Sequence, residues 1–382
     1  MLHTDRLNAH QELHARPFPV MAFDAHLAQL CVKASAKTLE LVWQWLSEKV
    51  LDLPSDMKAW QSAGDYWVRV EPHTEFISVL WLTHQPNAWD TQWIERAPTA
   101  VLVMSEFAPT SREVLMSRPI VSHMAVGDVS AGTDFLPSAD GVTRWSYHFE
   151  QPPTPEQRGK SLQMIVEVET YRIMALVRMD QIRAVHPRLQ EISSIAGGIQ
   201  LDAAESHSSR AMLEELERSE GALDQVWQQV NWRIGASRAY YDLVFQRLDD
   251  LGESPVEPLI PISRFLGRRM TPAIKTAETV LRRQQELSNQ VSHKANLLRT
   301  RMQLDLEEQH ARQVSRQTRL QSTVEGLSVV AISYYALGLA TAAVVPLLPA
   351  SAEKGVKSAL VPVVILAVWW TLRRIKRRLE GL

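Results

Sequence analysis

Residues able to do chemistry are few in this chain, and most stand alone. His10 and His14 in "HQELH" lie four apart, which on a helix puts both imidazoles on one face, a pattern able to hold zinc. Glu12 between them is at the wrong offset for the base of an H-E-x-x-H peptidase. Pro17 also ends any helix there. The alternative to a metal site is a structural N-terminal segment in which Glu12, His14 and Arg16 make fixed hydrogen bonds. Glu169 sits on an apolar stripe with Leu162, Ile165, Val166, Ile173, Leu176 and Val177, and a buried carboxylate must be paired or protonated. Arg172, one turn on, is the expected partner; an acid–base role is the alternative. Asp128, Asp134 and Asp140 in "GDVSAGTDFLPSADG" lack the alternate spacing of a calcium loop, so a solvent-exposed loop is expected there.

What is missing narrows the reading further. The sequence has no phosphate-binding glycine loop, nucleophile elbow or dinucleotide fingerprint, and Gly197-Gly198 matches none of them. The single cysteine, Cys31, excludes an intramolecular disulfide and a multi-cysteine metal site. Catalysis has no positive support, and no motif names a cofactor. A net charge of −2 gives no basic footprint for nucleic acid, so none is expected as a partner.

The remaining polar residues of interest stand at and inside an apolar run. Glu325 precedes it, Tyr334 and Tyr335 lie within it, and Leu327 to Ala352 carries no charge. Leu327–Leu348 is about 22 residues, or about 33 Å as helix, enough for a hydrocarbon core of about 30 Å. Leu360–Leu372 is shorter but extends back towards Gly355, and it ends in Trp369-Trp370 followed by "RRIKRR", an aromatic belt and a cationic flank. Arg312, Arg316 and Arg319 precede the first span, whereas the connection "PASAEKGVKS" holds only two lysines. The positive-inside rule then puts both termini in the cytoplasm. Tyrosine hydroxyls in lipid need partners, and Gly338 and Ala342, with Ala336 and Ala340, allow close helix approach, so this face is expected to pack on protein. Glu325 is expected to be an interfacial acid paired with Arg319 or Arg316; a place on an ion path is the alternative.

The elements that position these residues follow from periodicity. With 382 residues, 45% of them hydrophobic and 22% charged, the chain has room for two or three domains, and membrane segments form a small part of it. No apolar leader opens the sequence, so no cleaved signal is expected. Residues 1–153 read as a mixed α/β domain. A helix is expected to close the stretch up to Val50, with strands at "YWVRV", "EFISVLWLT" and "AVLVMSEF". The first two of these are hairpin-like across Glu71–Thr74. In "RWSYHFE", Trp145, Tyr147 and Phe149 alternate with polar residues as on a half-buried strand. Thr154-Pro155-Glu156-Gln157 spells a capping box with proline at the first helical position. It opens a helical region over 154–251, interrupted at Pro187, Gly197-Gly198 and Gly221. A proline-rich linker (252–262) and a long stalk helix (263–326), unbroken after Pro272, come next. Ile274, Ala277, Leu281, Val291, Ala295, Leu298 and Met302 keep a heptad register. Residues 305–322 are mostly polar on every face and read as solvated, or as lining a polar space between copies. A transmembrane hairpin (327–372) and a basic tail (373–382) complete an α+β chain.

"ELHARPFP" (Glu12–Pro19), "RFLGRRMTPA" (Arg264–Ala273), "NLLRTR" (Asn296–Arg301) and "TVEGLSVVAISYY" (Thr323–Tyr335) together resemble the domain of unknown function 3422 family, bacterial proteins described as membrane-anchored. The four stretches fall at both ends, so the resemblance spans the chain. It implies a bacterial inner-membrane location, but no activity or catalytic residue. The order of parts is also similar to that of CorA-type magnesium channels, except that "PLLPAS" stands where those carry Gly-Met-Asn at the end of the first span.

The expected function is a non-enzymatic oligomeric scaffold or sensor with a cytoplasmic domain, two spans and the bilayer as partner, self-associating through the stalk and first span. A channel or transporter of CorA-like layout is the alternative, and a membrane-tethered hydrolase or ligand-binding enzyme a third reading. A small-molecule or ion ligand is left open.

Overall fold

Apolar runs of alternating pattern pair into a single mixed sheet in the structure, a computed structural model that describes residues 18–49, 60–63, 66–84, 100–199, 206–344 and 353–379. Its strands are β1 (His26–Lys33), β2 (Gln61–Ala63), β3 (Tyr66–Pro72), β4 (Phe76–Thr83), β5 (Val101–Pro109), β6 (Ile120–Met124), β7 (Val129–Pro137), β8 (Thr143–Phe149) and β9 (Glu253–Pro255). Among the described residues they form nine strands in the order β2-β3-β4-β1-β5-β8-β7-β6-β9. All neighbours are antiparallel except β5 and β8. The helices are α1 (Ala36–Lys49), α2 (Arg112–Met116), α3 (Pro155–Leu176), α4 (Met179–Ala184), α5 (His186–Gly198), α6 (Ser206–Asp250), α7 (Ile262–Val344) and α8 (Glu353–Leu379). The fold is therefore mixed α+β, with a sheet domain first and a long helix towards the C-terminus.

The chain divides into two compact units. The sheet unit takes the described residues up to Ile199 with Leu216–Ser292, and the second takes those of Gln200–Glu215 and His293–Leu382. In the sheet unit, period-2 alternation sends Ala28, Leu30 and Val32 of β1 to one face, where α1 contributes Val42, Trp45 and Leu46. The opposite face packs Leu27, Leu80, Leu82, Phe107, Trp145 and Tyr147 against α3, α6 and the start of α7, which supplies Ile262, Leu266 and Met270. The Thr154 capping box forms as expected: the Thr154 side chain accepts from Gln157 N–H while Gln157 Oε1 accepts from Thr154 N–H. Gly159 of α3 allows a close approach, since a Cβ there would fall 1.6 Å from the Pro19 carbonyl oxygen.

Antiparallel contacts join α6 to α7 within this unit. Tyr241 meets Thr271 at 2.8 Å, Arg238 meets Glu278 at 3.2 Å, Gln284 donates to the Leu223 carbonyl at 3.3 Å, and Ser292 donates to Glu220 at 2.7 Å.

Several segments differ from expectation. His26–Lys33, unassigned by pattern, is a strand buried on both faces. The aspartate-rich stretch expected as an exposed loop holds β7, whose Val129 to Thr133 are buried between β6 and β8. Turn residues there outweighed a short apolar alternation. The proline-rich segment carries edge strand β9, which pairs with β6. Helix α7 contains Pro272 and runs as one helix past the expected stalk end at 326 to Val344. The helical region breaks at Arg178, which has left-handed backbone (φ 62°), and continues through Gly221.

The register on α7 is real in part. Ala277, Val291, Ala295 and Leu298 are at most 1% exposed, whereas Leu281 and Met302 are half-buried. In the second unit, α7 is exposed at every residue from Gln303 to Ser328. Its apolar end is long and hydrophobic enough to cross a membrane and is unburied in the protein. A narrower stripe there, Val329, Ser333, Ala336, Leu337, Ala340 and Thr341, is covered or half-covered. In α8 the apolar segment Val361–Thr371 is shorter.

Candidate functional site

A polar layer lies between the sheet and α3. Strand register aligns Arg69 with Leu80, Leu80 with Gln29, and Gln29 with Ser105, while Glu71, Ser78 and Cys31 align one step along. Alternation then turns Arg69, Gln29, Cys31, Ser78 and Ser105 to the face that α3 covers. From α3, Gln163, Glu167 and Thr170 meet Gln29 and Ser78 around a cavity of about 30 Å³.

Arg69 is a fully buried charge, its side chain 0% exposed, and it is paired with Glu71. Such a buried guanidinium must be met by an anion and by further acceptors. Its Nη1 donates to Gln163 Oε1 at 3.0 Å, Gln163 Nε2 donates to Glu167 Oε1 at 3.0 Å, and Arg247 of α6 donates to Glu167 at 2.5 Å and Asp250 at 3.0 Å. A continuous hydrogen-bonded path thus runs from β3 through α3 to the end of α6. Gln29 donates to Thr170, and its Oε1 has no hydrogen-bond partner among the described residues. Burial pushes the Cys31 thiol up to about 12, against hydrogen bonds from Ser78 and Thr170 that pull it down. A thiol held neutral in this way is no nucleophile.

The second polar cluster is the expected pair. Glu169 is 0% exposed, and Arg172 grips it with Nε at 2.9 Å and Nη2 at 2.5 Å, while Ser105 Oγ donates at 3.4 Å. The Arg172 guanidinium also lies 4.9 Å over the Phe135 ring. Phe135 has φ 58°, a conformation a bulky residue adopts only when its surroundings impose it. They do: Trp145 meets it edge-on at 5.2 Å and Phe265 of α7 stacks on it at 5.3 Å. The base of α7 is fixed by a cap as well. Ser263 N–H donates to Glu253 at 2.9 Å, Ser122 donates to the same carboxylate at 2.5 Å, and Ile262 N–H donates to Ser122 at 2.8 Å. Sheet and α7 are thereby joined by charge-assisted bonds and by aromatic stacking.

Beside the polar layer is an apolar cavity of about 460 Å³, with Phe18, Met21, Phe23, Trp60, Trp67 and Leu82 in its described lining. That volume lies in the range of small-molecule sites. The Trp60 ring, one of its walls, is 5.9 Å from the Arg69 guanidinium. Among the described residues, no group of three or more His, Cys, Asp or Glu is placed to hold a metal. The described lining of this cavity is apolar, and the Cys31 thiol in the neighbouring layer is held protonated.

Of the residues singled out by sequence, Glu12, His14 and Arg16 lie outside the described residues. Glu169 belongs to the sheet unit. In the second unit Glu325 accepts from Gln321 at 3.3 Å, and the Tyr334 and Tyr335 rings meet at 5.8 Å with 75% and 71% exposure. Ala336 and Ala340 fall on the covered stripe, while Gly338 and Ala342 lie on the exposed face. Sequence reading missed Gln29, Arg69, Gln163, Glu167 and Arg247. The one local signal was a polar residue at an inward position of an apolar strand, as Arg69 is in "YWVRV".

The family described as protein of unknown function (DUF3422) matches residues 1–379, and the chain belongs to it. No curated protein matches the chain.

Proposed function

We propose that this member of the DUF3422 family is a membrane-anchored, non-enzymatic scaffold or sensor, oligomeric, with its sheet unit on the cytosolic side. One observation carries the reading, the divided character of α7. Ile262, Leu266 and Met270 at its start are at most 2% exposed in the core of the sheet unit, yet its apolar end is unburied. Exposed apolar surface of that extent needs a covering, and a bilayer supplies one. Leu360–Leu372 within α8 would complete a hairpin, with Trp369 and Trp370 at the interface and both termini in the cytoplasm. The apolar cavity and the polar path behind it suit a sensing role, because a displaced Trp60 would be felt at Arg69. The anchor is tested by alkaline carbonate washing of membranes: the protein should stay with the lipid, and release into the wash would overturn the reading.

A second reading, a channel of CorA-like layout, is favoured by one feature. Glu325, Tyr334 and Tyr335 are all exposed on α7, and copies that turned Glu325 to a shared axis would ring that axis with carboxylates. Cation flux in liposomes that falls on Glu325→Gln would establish the channel and defeat the scaffold. No flux from a confirmed oligomer would remove it.

A further inference from the structure

The C-terminal end of α8 carries five cations between Arg373 and Arg378, directly after Trp369 and Trp370. The helix does not stop at the tryptophans but runs on to Leu379. Helical spacing of about 100° per residue puts positions 373 and 374 about one turn above positions 369 and 370 on the same side of the helix. The structure shows how two of these charges are held. Arg373 lies 4.8 Å from the Trp369 ring and Arg374 lies 5.1 Å from the Trp370 ring. The indoles themselves are 48% and 55% exposed. A guanidinium resting on an indole face keeps its edge N–H groups free, and that edge matches phosphate oxygens bidentately. Indole rings meanwhile settle at headgroup depth.

We propose that the end of α8 is a binding surface for anionic phospholipid headgroups, with Trp369 and Trp370 as the platform that orients Arg373 and Arg374 towards the lipid phosphodiester. The proposal rests on the membrane-anchored reading above and adds a lipid preference to it. Charge complementarity decides the occupant: the only acid close by in sequence is Glu380, so a zwitterionic headgroup gains much less than one with net negative charge.

The test uses the full chain, purified in detergent and reconstituted into vesicles of equal phosphatidylcholine and phosphatidylglycerol. The lipids that stay bound on mild re-extraction are then counted. The ratio of phosphatidylglycerol to phosphatidylcholine among the bound lipids should be about five to one against one to one in the bulk, the factor that one juxtamembrane cation contributes, and high salt should reduce it. The variant R373Q/R374Q/K376Q/R377Q/R378Q, with unchanged helicity and melting temperature, should return the bulk ratio. The variant W369L/W370L keeps every charge and should fall between them. A bulk ratio for the wild type, or equal enrichment in the charge-free variant, would overturn the proposal. Flotation separates this outcome from failure of the anchor. An anchored protein floats with pure phosphatidylcholine vesicles, whereas flotation on phosphatidylglycerol vesicles alone would support the headgroup surface and defeat the anchor. Flotation on neither would overturn both.

Discussion

Glu169 and Arg172 illustrate what a buried charge demands of its neighbours. The carboxylate has no exposure, its partner has 11%, and both Glu169 oxygens accept from the guanidinium. Removing one member leaves the other desolvated and uncompensated, which costs about 3–5 kcal/mol. Glu169→Gln should therefore lower the melting temperature in detergent sharply, while E169Q/R172M should recover part of the loss. Equal melting of wild type and E169Q would mean that water reaches the pair. Cys31 gives a complementary test. Its folded pKa is raised to about 12 by burial, so the native state holds the proton more tightly than the unfolded chain does. The contribution to stability is complete below an ordinary thiol pKa of about 8.5 and is lost as pH rises from there towards the folded value. An aromatic disulfide reagent at mildly alkaline pH should leave Cys31 unmodified in the native protein and react with it after denaturation. Modification of the native protein would show that the layer under α3 opens.

At the scale of elements, α7 changes character along its length. Leu298 is 0% exposed and Leu304 is 58% exposed. Leu298→Ala should cost about 2–5 kcal/mol, and Leu304→Ala should stay within about 0.5 kcal/mol unless oligomerisation covers that face. Urea unfolding at two protein concentrations measures both. Similar small losses would mean that Leu298 is not packed in solution. Elements specified by local chemistry were legible in the sequence: the Thr154 capping box, the β3–β4 hairpin, the alternation of β8 and the unbroken helical run after Pro272. Elements specified by partners were not. β1 is buried on both faces and so has no solvent-facing alternation to read, β7 is written in Gly, Ser and Asp, and β9 is a strand only because β6 lies beside it. The polar layer was illegible for the same reason, since Gln29, Arg69 and Ser105 come together through the register of four strands. Glu169 with Arg172 was legible because both lie on one helix, one turn apart.

For the whole molecule, the central claim is that a folded sheet unit is tied by α7 to a two-span membrane hairpin with both ends on the cytosolic side. The sheet unit secures its end of α7 through the Glu253–Ser122 cap and the Phe135–Phe265 stack. The measurement that tests the claim most directly is cysteine accessibility in intact cells. Single cysteines are placed at Gln309 in the polar part of α7, at Gly355 in the first turn of α8, and at Glu380 in the basic tail. The otherwise unaltered chain, with Cys31 fully buried, serves as the unlabelled control. An impermeant maleimide should label the Gly355 position from outside and reach the Gln309 and Glu380 positions only after lysis. Labelling of Gln309 and Gly355 from the same side would contradict the account, because α7 would then not cross the membrane between them.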